Sequence, residues 1–362
     1  MDTQEKGINL LTSILLLDLC ADPAPLPTFA PGAVIHLTEP LRIHEQRDRI
    51  IDGQNALIIY NGPANAAGII EVASCLNCTV QNFRIVDNSG AKSAVLLTNL
   101  PDRVGSTGCT IENVMIRYAN GEPGPRVAFS IDSLALGGAD RNNDLHTIRN
   151  CGSNNHAEAA IYLRGTQAHN IVIDRFNGVD YGGRRGYGIV SEDSGFFTVR
   201  DSSFGSNQCD IVSTGRECRI VVDGFNSEHS HRYIQNSRTG AESFQSHSNV
   251  RWDGHPQPGV PVADLWGEGP YRFANGYFAG VNGVQPTMRF GHYVQLVGER
   301  LVTMPGSVSF DGWQLVTHAE TPPTGIDVRI PASWQLHSHG ATQRTVKSFP
   351  WVRKPLKIER YK

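Results

Sequence analysis

Short apolar runs closed by Asn or Asp recur along the chain. RIID ends at Asp52, TVQN at Asn82, TIEN at Asn113, TIRN at Asn150, IVID at Asp174, TVRD at Asp201 and IVVD at Asp223. Two residues before each mark stands an apolar side chain: Ile50, Val80, Ile111, Ile148, Val172, Val199 and Val221. The marks are 22 to 37 residues apart, and looser copies end at Asp253 (VRWD), Asn275 (RFAN) and Asp311 (VSFD). Between them lies a second series of short runs, anchored by Ile161, Ile189, Ile211 and Ile234. A repeat of this length, built from β-branched runs and Asn/Asp/Gly punctuation, predicts a solenoid with at least two strands per coil. Helical periodicity is nearly absent after residue 30, which argues against alternating strands and helices.

The stretch GAVIHLTEPLRI followed by RIIDG, together with the stacked Asn/Asp marks, resembles right-handed parallel β-helix proteins of the pectate-lyase-like and phage-tailspike type. The resemblance covers residues 31–254. It implies an all-β fold, a right-handed parallel β-helix of roughly ten coils, and leaves activity open because that fold hosts many functions. Stacked coils place equivalent residues about 4.8 Å apart. Interior Val and Ile then form a continuous core, and Asn or Asp at a sharp turn tolerates left-handed backbone.

The ends read differently. Ile8–Cys20 is apolar but interrupted by Asp18, and it is preceded by Asp2, Glu5 and Lys6. That pattern lacks the positive start and unbroken apolar centre of a secretory signal, and it is too short to span a bilayer. It predicts an amphipathic helix that caps the first coil and serves as an attachment segment, within residues 1–30. All seven Cys precede residue 219, all five Trp lie at 252 or later, and HPQPGVPV breaks the rhythm at 255–262. The β-helix proper is therefore expected over 31–254. Residues 255–362 are expected to hold an irregular continuation and a β-rich oligomerisation region.

Charge and cysteine content narrow the partners. A net charge of −3 offers no general field for nucleic acid. The seven Lys/Arg between Arg344 and Lys362 read as a solvated tail. Seven cysteines cannot all pair in one chain. A lone CxxC at Cys75 and Cys78 is a poor zinc signature, so free buried thiols are expected, and no cofactor. Cys78 and Cys109 should stack in one column.

No P-loop, HExxH, GxSxG or GxGxxG is present, nor the paired-Asp set of polygalacturonases. The carboxylates nearest to an irregular stretch are Glu192, Asp193 and Asp210, which makes them the catalytic candidates. Placing Ile189 and Ile211 in register puts Glu192 and Asp210 about 14 Å apart between Cα atoms, wide for a glycosidase pair. Arg164 falls in the column of Glu192. The connection DYGGRRGYG offers Tyr181, Arg184, Arg185 and Tyr187 for stacking and for bidentate contacts to an acidic sugar. Arg232, Tyr233, Trp252 and Trp266 complete the substrate-binding candidates, while Trp313 is expected to pack. The two HSH triplets, His229–His231 and His337–His339, read as surface histidines without a metal.

These features together predict a virion-associated, phage-like trimeric spike or fibre that binds host surface polysaccharide. It would be made in a host cytoplasm without a signal peptide and joined to other virion proteins through the N-terminal segment, with no membrane span. Whether it cleaves the glycan is left open. The alternatives are an extracellular bacterial polysaccharide lyase or glycoside hydrolase, and a non-catalytic adhesin or scaffold.

Overall fold

Each coil contributes strands to two parallel sheets. The computed structural model describes residues 26–361 apart from 119–123, 138, 181–185, 195, 215–216, 237–241, 268, 292–293, 298–299, 304–305, 320–324 and 346–351. The helix expected over Ile8–Cys20 lies outside the described residues. Among the described residues the second sheet takes one strand per coil, twelve from Leu41–His44 to Ile358–Tyr361. The first sheet holds nineteen, because many coils bend at a corner and give it two legs, as in Ile171–Asp174 followed by Asn177–Val179. The described residues are all-β, a parallel β-helix.

The interior column of the first sheet runs through Ile51, Val80, Ile111, Ile148, Ile173, Val199 and Val222, each opposite the next. All seven are buried. Three of the residues expected there are not in it. Ile50 is 68% exposed, and Val172 and Val221 are half-buried on the outer side. Side chains alternate across a strand, so a slip of one residue reverses the face. In RIID, IVID and IVVD two adjacent apolar residues hid that slip.

The corner follows two residues after the buried column. Asn82, Asn113, Asn150, Arg175, Asp201, Gly224, Asn249, Asn275, Gly312 and Gly340 occupy it, with φ between 45 and 69°. Asn, Asp and Gly tolerate this left-handed backbone because a short polar side chain bonds locally or no Cβ interferes. Asn82 and Asn113 carry the ladder as expected, Asn113 Nδ2 donating to Asn82 Oδ1 at 2.7 Å. Asp174 and Asp223 stand one residue before the corner instead, as does Asp52 opposite Gln81.

The second column has the expected register, with Ile161, Ile189, Ile211 and Ile234 on successive coils. Aliphatic residues and thiols fill the N-terminal coils; Cys75, Cys78, Cys109, Cys151 and Cys209 are free and buried. Further along, the core turns aromatic. Phe176, Phe204 and Phe225 stack at 5.5 and 5.3 Å, each contact contributing roughly 0.5–1.5 kcal/mol beyond area burial. Gly178 sits in that stack, where a Cβ would come within 2.8 and 2.9 Å of the Phe176 and Phe204 rings. Trp313 packs against Phe273 and Phe278 at 5.1 and 5.0 Å. Both sheets continue past residue 255, with Arg251–Gly254 pairing to Tyr277–Gly280. The first sheet ends where Val352–Pro355 turns antiparallel onto Thr342–Thr345.

Candidate functional site

Asp210 faces inward. It is fully buried, and four donors surround it: Asn207 Nδ2 (2.9 Å), Ser230 Oγ (2.6 Å), Ser227 Oγ (2.6 Å) and Trp252 Nε1 (3.2 Å). Burial pushes its carboxyl up to about 6, against the pull of those hydrogen bonds. Trp252 and Tyr233 are equally buried. The Tyr233 hydroxyl meets His247 Nδ1 at 2.8 Å. None of the three can touch a ligand at the surface, which corrects their place among the site residues: they build a polar and aromatic interior. Asp193 is exposed on a left-handed turn, φ 53°. The three acids predicted to act together are thus split between the core, a turn and the outer face.

Glu192 alone of them lines a groove, a cavity of 630 Å³ on the outer face of the second sheet. Its backbone pairs with Arg164, and Arg164 pairs with Asp132 on the coil before. Asp132, Arg164 and Glu192 are therefore one column on three consecutive coils, all lining the groove. Arg164 Nη1 stands 3.5 Å from Asp132 Oδ2. Asp132 Oδ1 accepts the Leu134 N–H at 2.9 Å, which fixes the carboxyl at the strand end. Tyr162, on the middle coil, donates its hydroxyl to Glu192 Oε2. Burial raises the Asp132 carboxyl above its ordinary value, and this outweighs the Leu134 amide and the guanidinium. Burial, then Glu192, raises Tyr162 and keeps its proton.

Asp132 was missed because its strand, VAFSID, carries Phe129 where the neighbouring runs carry Ile, and no Asn or Asp mark flags the coil. The signal was present in the offsets. Asp132, Arg164 and Glu192 each stand three residues after Phe129, Ile161 and Ile189, which pair in that order.

Tyr187 borders the groove and also a second cavity of 260 Å³. That cavity is lined by Gln208, Cys209, His231, Arg232, Gln235 and Gln257 besides Tyr187, so two expected binding residues, Tyr187 and Arg232, come together. Tyr181, Arg184 and Arg185 lie outside the described residues. Trp266 is half-buried and further along; its Nε1 donates to Asp264 Oδ1 at 2.9 Å, and the Arg289 guanidinium sits 5.4 Å from its ring centroid. His229 and His255 meet at 3.3 Å, and His339 pairs with Asp311 at 3.3 Å. Among the described residues no three His, Cys, Asp or Glu side chains are grouped to hold a metal ion.

No family profile and no curated protein matches the sequence. Solved structures resemble its chain path. A GH87 alpha-1,3-glucanase catalytic domain in complex with tetrasaccharides aligns at 9% identity and TM-score 0.45, over 87% of this chain and 63% of that domain. The same enzyme type in complex with nigerose aligns at 11% identity and TM-score 0.47, over 87% of this chain. This chain spans 63% of the length of those glucanase domains. An endo-xylogalacturonan hydrolase from Aspergillus tubingensis aligns at 10% identity and TM-score 0.48, over 84% of this chain and 91% of that one.

Proposed function

We propose that the groove binds a polysaccharide and hydrolyses it, with Asp132 as general acid and Glu192 as general base. The observation that carries this reading is the column of Asp132, Arg164 and Glu192 on three consecutive coils of one groove. Two coil steps separate the acidic residues by about 9.6 Å of backbone. Tyr162, on the coil between, donates its hydroxyl to the Glu192 carboxylate. That spacing lies at the upper end of the range that leaves room for a water in inverting glycosidases (~6.5–9.5 Å) and exceeds the ~5 Å of retaining ones. Burial raises the Asp132 carboxyl above its ordinary value, the direction that suits a general acid. Tyr162 and Tyr187 offer ring faces for a sugar.

The test is release of reducing ends from a panel of purified polysaccharides, with the product anomer read by NMR. Asp132→Asn and Glu192→Gln should each lower turnover by about 10²–10⁴-fold, and the first product should carry inverted configuration. Wild-type protein that binds a glycan and releases nothing would leave a binding module and sink the hydrolytic reading.

We place the groove on a trimeric virion-attachment protein. Among the described residues, five free, buried cysteines support folding in a reducing cytoplasm, where such proteins are made. Light scattering of the purified chain should return three copies, and a monomer would remove this setting while leaving the groove chemistry untouched.

A further inference from the structure

We infer that the cavity around Arg232 is a subsite for a carboxylate-bearing sugar, so that the polysaccharide taken by the groove is an acidic one. This rests on the reading of the groove as a glycan site and adds the class of glycan.

Position comes first. Tyr187 pairs with Cys209, and Ile211 with Ile234, so Arg232 stands in the column of Tyr187 two coils further along. Tyr187 is the shared wall of the two cavities. A chain lying over the Asp132–Glu192 column and continuing past Tyr187 therefore reaches Arg232 without leaving the surface.

Charge decides what it meets there. Arg42, Arg126, Arg164, Arg289 and Arg329 project from this side of the molecule, and each pairs with a carboxylate on an adjacent coil: Glu71, Glu158, Asp132, Asp264 and Glu359. Arg232 breaks the rule. Its Nη1 donates to the neutral Gln235 Oε1 at 2.6 Å, and among the described residues no carboxylate lines its cavity. It is half-buried, so water screens the charge less than at a fully exposed site.

The remaining lining fits a sugar rather than a bare ion. Gln208, Gln235 and Gln257 supply amides that both donate and accept, as vicinal hydroxyls require. A guanidinium presents a planar fork that matches a carboxylate in two parallel hydrogen bonds. Phosphate and sulfate esters can offer the fork the same two-point contact, so the sulfated probe in the experiment separates them from the carboxylate assigned here.

The experiment uses the full chain with Glu192→Gln to prevent turnover. Calorimetry would compare oligosaccharides of a polyuronate, the same oligosaccharides after carboxyl reduction, and a sulfated neutral oligosaccharide. The uronate should bind about 10- to 100-fold more tightly than its reduced form, the range of one charge-assisted contact. Adding Arg232→Gln should erase that preference with unchanged thermal unfolding, and Arg232→Lys should keep part of it. Equal binding of reduced and native oligosaccharides, a preference that survives Arg232→Gln, or a sulfated probe that outbinds the uronate would each overturn the assignment. The two readings fail separately. Hydrolysis of neutral glycans by Asp132 without uronate preference removes the subsite alone. Uronate held through Arg232 but never cleaved removes the hydrolysis alone.

Discussion

Asp210 is a carboxyl whose value to the fold depends on pH. Its ordinary value of 3.8 rises to about 6 in the folded chain, because burial disfavours the charge more than four hydrogen bonds favour it. A raised value means that the folded state binds the proton more tightly than the unfolded one. This stabilisation is complete below about pH 4 and is lost as pH rises through 6. At roughly 1.4 kcal/mol per pH unit, the loss is about 3 kcal/mol by pH 7. Asp210→Asn should therefore raise the melting temperature at pH 7.5 and change it little at pH 4, in parallel thermal melts. A variant equally destabilised at both values would show that the protonation state of this carboxyl does not change its value to the fold, which would overturn the argument. Sequence alone could not separate Asp210 from Glu192. Glu192 stands three residues after Ile189 and Asp210 one residue before Ile211, and strand alternation counted from those anchors puts both on the outer face, although Asp210 at the strand's start turns inward.

At the scale of the strand and its corner, what matters is one backbone conformation repeated coil after coil. The Asn marks at 82, 113 and 150 were legible because in those coils the polar residue and the corner coincide. Where Gly takes the corner, as at 224 and 312, the preceding Asp was the more visible residue and the register slipped by one. Arg175 is the costly case, since it holds φ 50° with a full Cβ and lacks the short polar side chain that eases this backbone. Its ion pair with Asp174, 3.2 Å, is exposed and worth little. Arg175→Gly should stabilise the protein by about 1 kcal/mol, whereas Asn113→Ala should cost about as much, by strain and by the lost bond to Asn82. Chemical denaturation of the pair checks both signs; a destabilised Arg175→Gly would mean that its side chain contributes more than the corner strain takes away.

Over the whole molecule, the stacking of coils was legible because periodicity is a long-range signal that survives local slips. The groove was not. It is assembled from residues about thirty apart in sequence, joined only by register, and its acid lies on a coil whose anchor is Phe129. The rise in aromatic content after residue 250 turned out to be a change of filling: Trp252, Trp313 and Trp334 occupy the interior. Coil length, finally, has a mechanical meaning. Corners stand 23 residues apart between Asp201 and Gly224, and 37 apart between Asn275 and Gly312. Each coil is held only by its neighbours along the axis, so tension on the two ends loads one seam at a time. The stack would peel from an end in discrete events, each releasing a slack length set by the coil that opened. The longest coils carry connections outside the walls, so under load the molecule would lengthen in unequal steps whose sizes follow the spacing of its corners.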